Sequence, residues 1–256
     1  MAKTFILKIY RGEEGAQYWE EFELELKPYM NIISALMEVQ QNPVNRKGEK
    51  VAPVTWEQGC LEEVCGSCSM LINGKPRQAC TAIIEPILSK SESSTITLAP
   101  FTKFPLVRDL VVDRSPMFDN LKKVKGWVSA DGSFVKGFGP QISQKKQETM
   151  YLLSTCMTCG CCSEACPQVS VKSKFIGPAP ISQVRLFNLN PAGKMEKDQR
   201  NHALMEEGGI SDCGNAQNCV QVCPKEIPLT ESIAVMGREV SKQAVKDIFD
   251  IPDRDD

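Results

Sequence analysis

Cys60-Leu61-Glu62-Glu63-Val64-Cys65-Gly66-Ser67-Cys68 decides the fold of the first third of this chain. The cysteines read C-x4-C-x2-C, and Cys80 follows at a distance. That is the spacing with which plant-type ferredoxins hold a 2Fe-2S centre. Three closely spaced thiolates let one tight loop wrap one side of a cluster, and Gly66 allows close backbone approach. The fourth thiolate must then come from elsewhere and pin the loop to a core. Ser69 to Ile72, Asn73-Gly74 and Lys75 to Thr81 predict a hairpin with a type I′ turn, whose far arm delivers Cys80.

Working outward, Phe5 to Tyr10, with Phe5, Leu7 and Ile9 at alternate positions, is a strand candidate, and Phe22 to Leu26 alternates apolar with acidic residues strictly, as a half-buried strand does. Arg11 to Gln17 is the turn between them. Asn31 caps a predicted helix over Ile32 to Val39, which Asn42-Pro43 stops. Thr95 to Leu98 is a last short strand. Four or five strands and one helix make a small α+β domain, expected over residues 1–104. Phe101 to Pro105 marks the boundary.

Residues 105–256 are expected to be mostly helical. Ser115 to Val124, Ser143 to Leu153, a segment around Val184, Leu186 and Phe187, Asn201 to Glu206 and Leu229 to Val240 carry helical spacing. Gly177-Pro178-Ala179-Pro180 is expected to break the chain before the third of these. Gly126 to Pro140 is expected to form an ordered loop.

This second part holds a duplicated cysteine motif. Cys156, Cys159, Cys162 and Cys166-Pro167 read C-x2-C-x2-C-x3-C-P, the bacterial ferredoxin run. Cys213, Cys219 and Cys223-Pro224 read as the same run with its second cysteine replaced by Ala216. In two-cluster ferredoxins the fourth cysteine of each run ligates the other cluster. Exchange gives Cys156, Cys159, Cys162 and Cys223 as ligands of a 4Fe-4S centre. It leaves Cys166, Cys213 and Cys219 for the second centre. Alanine has no donor atom, so a 3Fe-4S centre is the natural product, with a potential raised above that of the 4Fe-4S neighbour. Cys161 lies out of frame and reads as a small buried residue near the cluster.

Composition supports metal–thiolate chemistry. Twelve cysteines in a chain without a recognisable secretory signal suit a reducing compartment better than disulfides. Zinc would account for one short cysteine pair but not for two complementary runs and a plant-type set. The net charge of −2 and the absence of long Lys or Arg runs argue against nucleic-acid partners. No stretch approaches the ~18 apolar residues of a membrane span. His202, Trp19, Trp56 and Trp127 are read as structural or surface residues, and Arg108, Arg114 and Arg185 as solvated charges. Gly208-Gly209 lacks a nucleotide-loop context. No catalytic residue is visible, so the chain carries redox machinery without a substrate site.

With these residues in view, the chain resembles the iron–sulfur subunit of succinate:quinone oxidoreductases, the family of succinate dehydrogenase and fumarate reductase. The likeness lies in the three cysteine sets, in Cys60 to Cys68, in Asn73-Gly74-Lys75-Pro76-Arg77, in Phe175-Ile176-Gly177-Pro178-Ala179 and in Cys223-Pro224-Lys225. The resemblance implies an N-terminal β-grasp ferredoxin domain and a helical bacterial-ferredoxin-like domain. It implies partners: a flavoprotein subunit that carries FAD and the succinate site, and a membrane-anchor subunit of the cytochrome b type. It implies electron flow from FAD through the 2Fe-2S, 4Fe-4S and 3Fe-4S centres to quinone, and a peripheral place on the cytoplasmic face of a bacterial cell membrane. Ubiquinone-using members carry tryptophans shortly after the Cys-Pro equivalent to Cys166-Pro167, and often a histidine after the equivalent of Cys213. Here the residues are Gln168-Val169-Ser170-Val171 and Gly214. This is similar to menaquinone-linked members and implies menaquinone, with Pro167 and Gln168 as quinone-proximal residues. Fumarate reduction in the reverse direction and a soluble multi-cluster carrier are the competing functions.

Overall fold

The computed structural model describes residues 3–91, 93–129 and 141–249. Its contacts divide the chain into two units, residues 1–114 with 157–165, and residues 115–156 with 166–256.

In the first unit, β1 (Thr4–Arg11) and β2 (Tyr18–Glu25) pair antiparallel, with Leu7 opposite Phe22. Helix α1 (Ile32–Gln41) follows, then the hairpin of β3 (Ser69–Ile72) and β4 (Lys75–Gln78), a short α2 (Ile84–Ser89), and β5 (Thr95–Ala99). The five strands form one sheet in the order β2-β1-β5-β3-β4, with β1 and β5 parallel. Alternation puts Phe5, Leu7, Ile9, Ile96 and Leu98 on the inner face, where Ile32, Leu36 and Val39 of α1 cover them. Each such side chain contributes about 1.5–3 kcal/mol by leaving water. The Asn31 side chain accepts from Ser34 N at 2.8 Å and closes a capping box. Asn73 (φ 49°) and Gly74 (φ 74°) take the left-handed conformations of the expected I′ turn.

This unit extends ten residues past the expected boundary at 104, because β6 (Leu106–Arg108) and β7 (Val111–Val112) form a further hairpin that carries Asp109. Asp109 is buried. Its Oδ1 accepts from Gly12 N and its Oδ2 from Thr55 N, both at 2.8 Å. Arg11, also buried, pairs with Asp109 at 3.5 Å and donates to Glu20 at 2.5 Å and to the Pro53 carbonyl at 3.1 Å. Residues 157–165 also belong here. Their short helix Cys161–Ala165 presents Glu164, whose carboxylate accepts from Thr102 N, Thr102 Oγ1 and Lys103 N.

The second unit is helical: α3 (Ser115–Lys123), α4 (Gln144–Ser154), α5 (Pro178–Leu189), α6 (Lys197–Met205) and α7 (Leu229–Phe249), with shorter turns between them. Val124, Phe175, Ile181, Val184, Leu204 and Met236 form its core. Arg200 is fully buried and donates to the carbonyls of Lys125, Gly193 and Trp127 at 2.6–2.9 Å, so three loop ends share one cation. The expected break at Gly177 to Pro180 is instead the start of α5. A helix's first N–H groups have no intrahelical partner, so Pro178 and Pro180 forfeit no bond there. Most of the loop expected over Gly126 to Pro140 lies outside the described residues.

Candidate cluster-binding sites

The plant-type set lies wholly in the first unit. Cys60, Cys65 and Cys68 sit on the loop before β3, and Cys80 just after β4. Leu61 (φ 62°), Glu63 (φ 55°) and Gly66 (φ 76°) wind this loop through left-handed conformations. The winding turns backbone N–H groups inward. Glu62, Val64 and Cys65 donate to Cys60 Sγ at 3.3–3.4 Å, and Cys60 N donates to Cys65 Sγ at 3.4 Å. Such a nest of donors suits anionic thiolate sulfur. A Cβ on Gly59 would stand 2.9 Å from Cys65 Sγ, so glycine leaves room for that sulfur. On the other arm, Asn31 Nδ2 donates to the Cys80 carbonyl at 2.9 Å, so the cap of α1 also fixes the fourth cysteine.

The loop is clamped from outside. Arg114 donates to the Gly66 and Ser67 carbonyls, each at 2.7 Å, and Ser69 Oγ donates to the Gly66 carbonyl at 2.5 Å. Hydrogen bonds from the backbone of Cys60 and from Ser67 pull the Cys65 thiol down to about 6. Burial pushes Cys68 up to about 11. The donors around Cys65 thus favour its thiolate, whereas burial of Cys68 favours the thiol until a metal charge replaces its proton.

The cysteines expected for the 4Fe-4S centre are divided between the units. Cys159 and Cys162 lie in the first, Cys156 and Cys223 in the second. In the first unit a hydrogen bond with the Cys161 thiol, against the opposing effect of burial and with help from the Arg114 charge, brings Cys159 down to about 7. A Cβ on Gly66 would stand 2.9 Å from Cys159 Cα, so the first cluster loop packs directly on the backbone that bears Cys159. In the second unit, Cys156 follows α4, and Cys223 follows the short helix Asn218–Gln221.

The remaining set lies wholly in the second unit. Cys166, Cys213 and Cys219 line one small hollow, together with Pro167, Gln168, Phe175 and Pro178. Ala216 lines the same hollow, at the place where the repeated run lacks its cysteine. Asn215 (φ 51°) and Gln217 (φ 61°) are left-handed on either side of it. Burial raises the Cys219 thiol, and the charges of nearby Cys166 and Cys213 raise it further. Three cysteines that line one hollow, with an apolar methyl at the place of a fourth, suit a cluster with one corner missing. Gln168 packs over Gly214, where a Cβ would stand 2.5 Å from its Nε2.

Among the described residues no three His, Cys, Asp or Glu side chains group tightly enough for a single metal ion. A polynuclear cluster spreads its thiolates around a sulfide cage and calls for no such group. Other sequence expectations fall out plainly. His202 pairs with Asp247 at 2.9 Å on the surface. Trp19 and Trp127 are exposed, and Trp56 packs against the first core. Arg108 is exposed. Arg114 and Arg185 are not solvated charges: Arg114 clamps the first loop, and Arg185 pairs with Glu231 at 2.7 Å and donates to Ser232 Oγ. Arg114 and Glu164 are supporting residues that spacing does not expose, because each acts on backbone far away in sequence.

Residues 6–119 match the family model of the 2Fe-2S iron–sulfur cluster binding domain, and residues 152–227 that of the 4Fe-4S dicluster domain. Geometry and matches define an α+β iron–sulfur protein that joins two cluster-binding domains. The succinate dehydrogenase iron–sulfur subunit of Bacillus subtilis (strain 168) is 57% identical over 245 residues, 96% of this chain and 95% of that relative. The chain belongs to this family of iron–sulfur subunits. The fumarate reductase iron–sulfur subunit of Wolinella succinogenes is a more distant relative, 27% identical over 94% of this chain and 98% of its own length. A chain of the Mycobacterium smegmatis Sdh1 complex in the apo form has the same fold, with a TM-score of 0.80 over 95% of this chain and 98% of that one at 21% identity.

Proposed function

We propose that this chain is the electron-transfer subunit of a succinate dehydrogenase, seated between a flavoprotein and a cytochrome b-type membrane anchor on the cytoplasmic face of a bacterial cell membrane. The 57% identity to the Bacillus subtilis subunit carries this reading over fumarate reduction. When bound, the three centres supply one-electron steps between FAD on the flavoprotein and menaquinone at the anchor. Cys60, Cys65, Cys68 and Cys80 hold the 2Fe-2S centre. Cys156, Cys159, Cys162 and Cys223 hold the 4Fe-4S centre, and Cys166, Cys213 and Cys219 the 3Fe-4S centre. The N–H groups aimed at Cys60 Sγ favour the reduced, more negative state. They are expected to lift the 2Fe-2S potential above the roughly −400 mV of plant-type ferredoxins. Pro167 and Gln168, exposed at the rim of the last hollow, are the quinone-proximal residues. No helix among the described residues is long and apolar enough to cross a membrane.

Affinity purification from mild-detergent membranes tests this proposal. The expected result is co-purification of a flavoprotein and a haem-bearing membrane protein, with succinate-dependent menaquinone-analogue reduction faster than fumarate reduction. Isolation of the chain alone would favour a soluble carrier, and faster fumarate reduction would favour the reverse reaction.

A further inference from the structure

Gln78 ends β4 and is 1% exposed. Its side-chain amide lies between the sulfur of Cys68, from the plant-type set, and that of Cys161, which belongs to none of the three sets. Oε1 is 3.0 Å from Ser69 Oγ and 3.7 Å from Cys68 Sγ, and Nε2 is 3.4 Å from Cys161 Sγ. Ser69 Oγ is within donating distance of both the Gly66 carbonyl at 2.5 Å and Gln78 Oε1 at 3.0 Å, and its single proton serves the shorter contact. In the free protein the Cys68 thiol donates to Oε1.

Cluster binding changes this balance. A Cys68 thiolate on iron has no proton to donate, and Ser69 has none to spare, so Oε1 would face two acceptors. In a buried site that arrangement is costly. The two ends of an amide have the same shape, so the partners decide its orientation. Turned over, its two N–H groups point at Cys68 Sγ and Ser69 Oγ, and its oxygen faces Cys161. Cys161 lies outside every ligand set and so keeps a proton to donate. That thiol also bonds with Cys159, but a Cys159 sulfur whose charge is shared with iron competes less for the proton. Every donor in the group then has an acceptor.

We propose that Gln78 is a positioning residue for the 2Fe-2S centre, its amide N–H donating to Cys68 Sγ in the loaded protein and held in that orientation by Ser69 and the Cys161 thiol. This gives Cys161 a role: it turns the amide toward the neighbouring centre. A hydrogen bond to a ligand sulfur stabilises the reduced cluster and raises its potential. The inference rests on the assignment of Cys68 to that centre.

The test uses the purified complex. With 15N in glutamine side-chain amides, pulsed electron paramagnetic resonance of the reduced 2Fe-2S signal should show a 15N coupling, and Gln78→Glu should abolish it. Redox titration should place the 2Fe-2S midpoint of Gln78→Leu below that of the parent protein, with the 3Fe-4S midpoint unmoved. Cys161→Ala should keep all three centres and shift the 2Fe-2S midpoint in the same direction. No 15N coupling in the parent protein, or an unmoved midpoint in Gln78→Leu with full cluster content, would overturn the inference. If the parent protein lacks any 2Fe-2S signal, the assignment of Cys68 itself fails.

Discussion

Gly66→Ala strikes the place where the first cluster loop meets the segment bearing Cys159. Two costs add. At φ 76° an L residue sits in the left-handed region, at about 1–2 kcal/mol. The new Cβ would also stand 2.9 Å from Cys159 Cα, 3.0 Å from Cys159 Cβ and 3.1 Å from the Met157 carbonyl oxygen. Two of these three are backbone atoms that cannot swing aside, and forced overpacking of this kind costs about 1–3 kcal/mol. Gly74→Ala separates the two terms. Gly74 has nearly the same φ, 74°, and nothing within 4 Å of its would-be Cβ, so only the backbone cost applies. The two variants should therefore differ by about 1–3 kcal/mol. For a protein of this size that is roughly 2–12 °C in the thermal transition. The assay is loss of visible cluster absorbance on heating the anaerobic complex, with the 2Fe-2S resonance recorded before heating. Equal transitions for Gly66→Ala and Gly74→Ala would refute the claim that the loop seats the Cys159 backbone.

Ala216→Cys restores a thiolate at the wall of the hollow lined by Cys166, Cys213 and Cys219. The oxidised 3Fe-4S resonance should vanish, iron content should rise by about one atom per chain, and the centre's potential should fall; a persistent 3Fe signal counts against the ligand exchange. Asp109→Asn leaves Arg11 short of a buried partner and turns an N–H₂ toward the N–H of Gly12 or Thr55, for a loss of about 3–5 kcal/mol at neutral pH. Burial opposes ionisation of Asp109, but hydrogen bonds from Gly12 and Thr55 and the Arg11 charge outweigh it and hold the carboxyl below its ordinary range. Its stabilisation is therefore full above the unfolded value of about 3.9 and lost as pH falls through the lower folded value. The stability gap between parent and variant should stay constant near neutrality and close on acidification below about pH 4; a gap independent of pH would contradict the pairing.

Periodicity and turn chemistry made much of the first unit legible in advance. Strict alternation over Phe22 to Leu26 exposed β2, the apolar positions Phe5, Leu7 and Ile9 marked β1, Asn73-Gly74 announced its hairpin, and Asn31 marked the start of α1. The two ferredoxin-type domains were legible because cluster ligation imposes fixed short cysteine spacings. The missed features act through tertiary partners. The Arg11–Glu20–Asp109 cluster joins residues far apart in sequence, and no local pattern marks a buried ion pair. The β6–β7 hairpin is too short for period-two alternation to register. Glu164, between two cysteines, gave no sign that its carboxylate would accept from three donors on Thr102 and Lys103. Pro178 and Pro180 read as breakers in the sequence, but the helix starts at Pro178 and both fall in its first turn, where proline costs no hydrogen bond.

The measurement that bears most directly on the whole account is iron and acid-labile sulfide per chain in the anaerobic complex, taken with its electron paramagnetic resonance through a redox titration. One 2Fe-2S, one 4Fe-4S and one 3Fe-4S centre predict about nine irons and ten sulfides with three distinct signals. Well-folded material with no more than about eight irons and no oxidised 3Fe resonance would contradict the assignment of the third site.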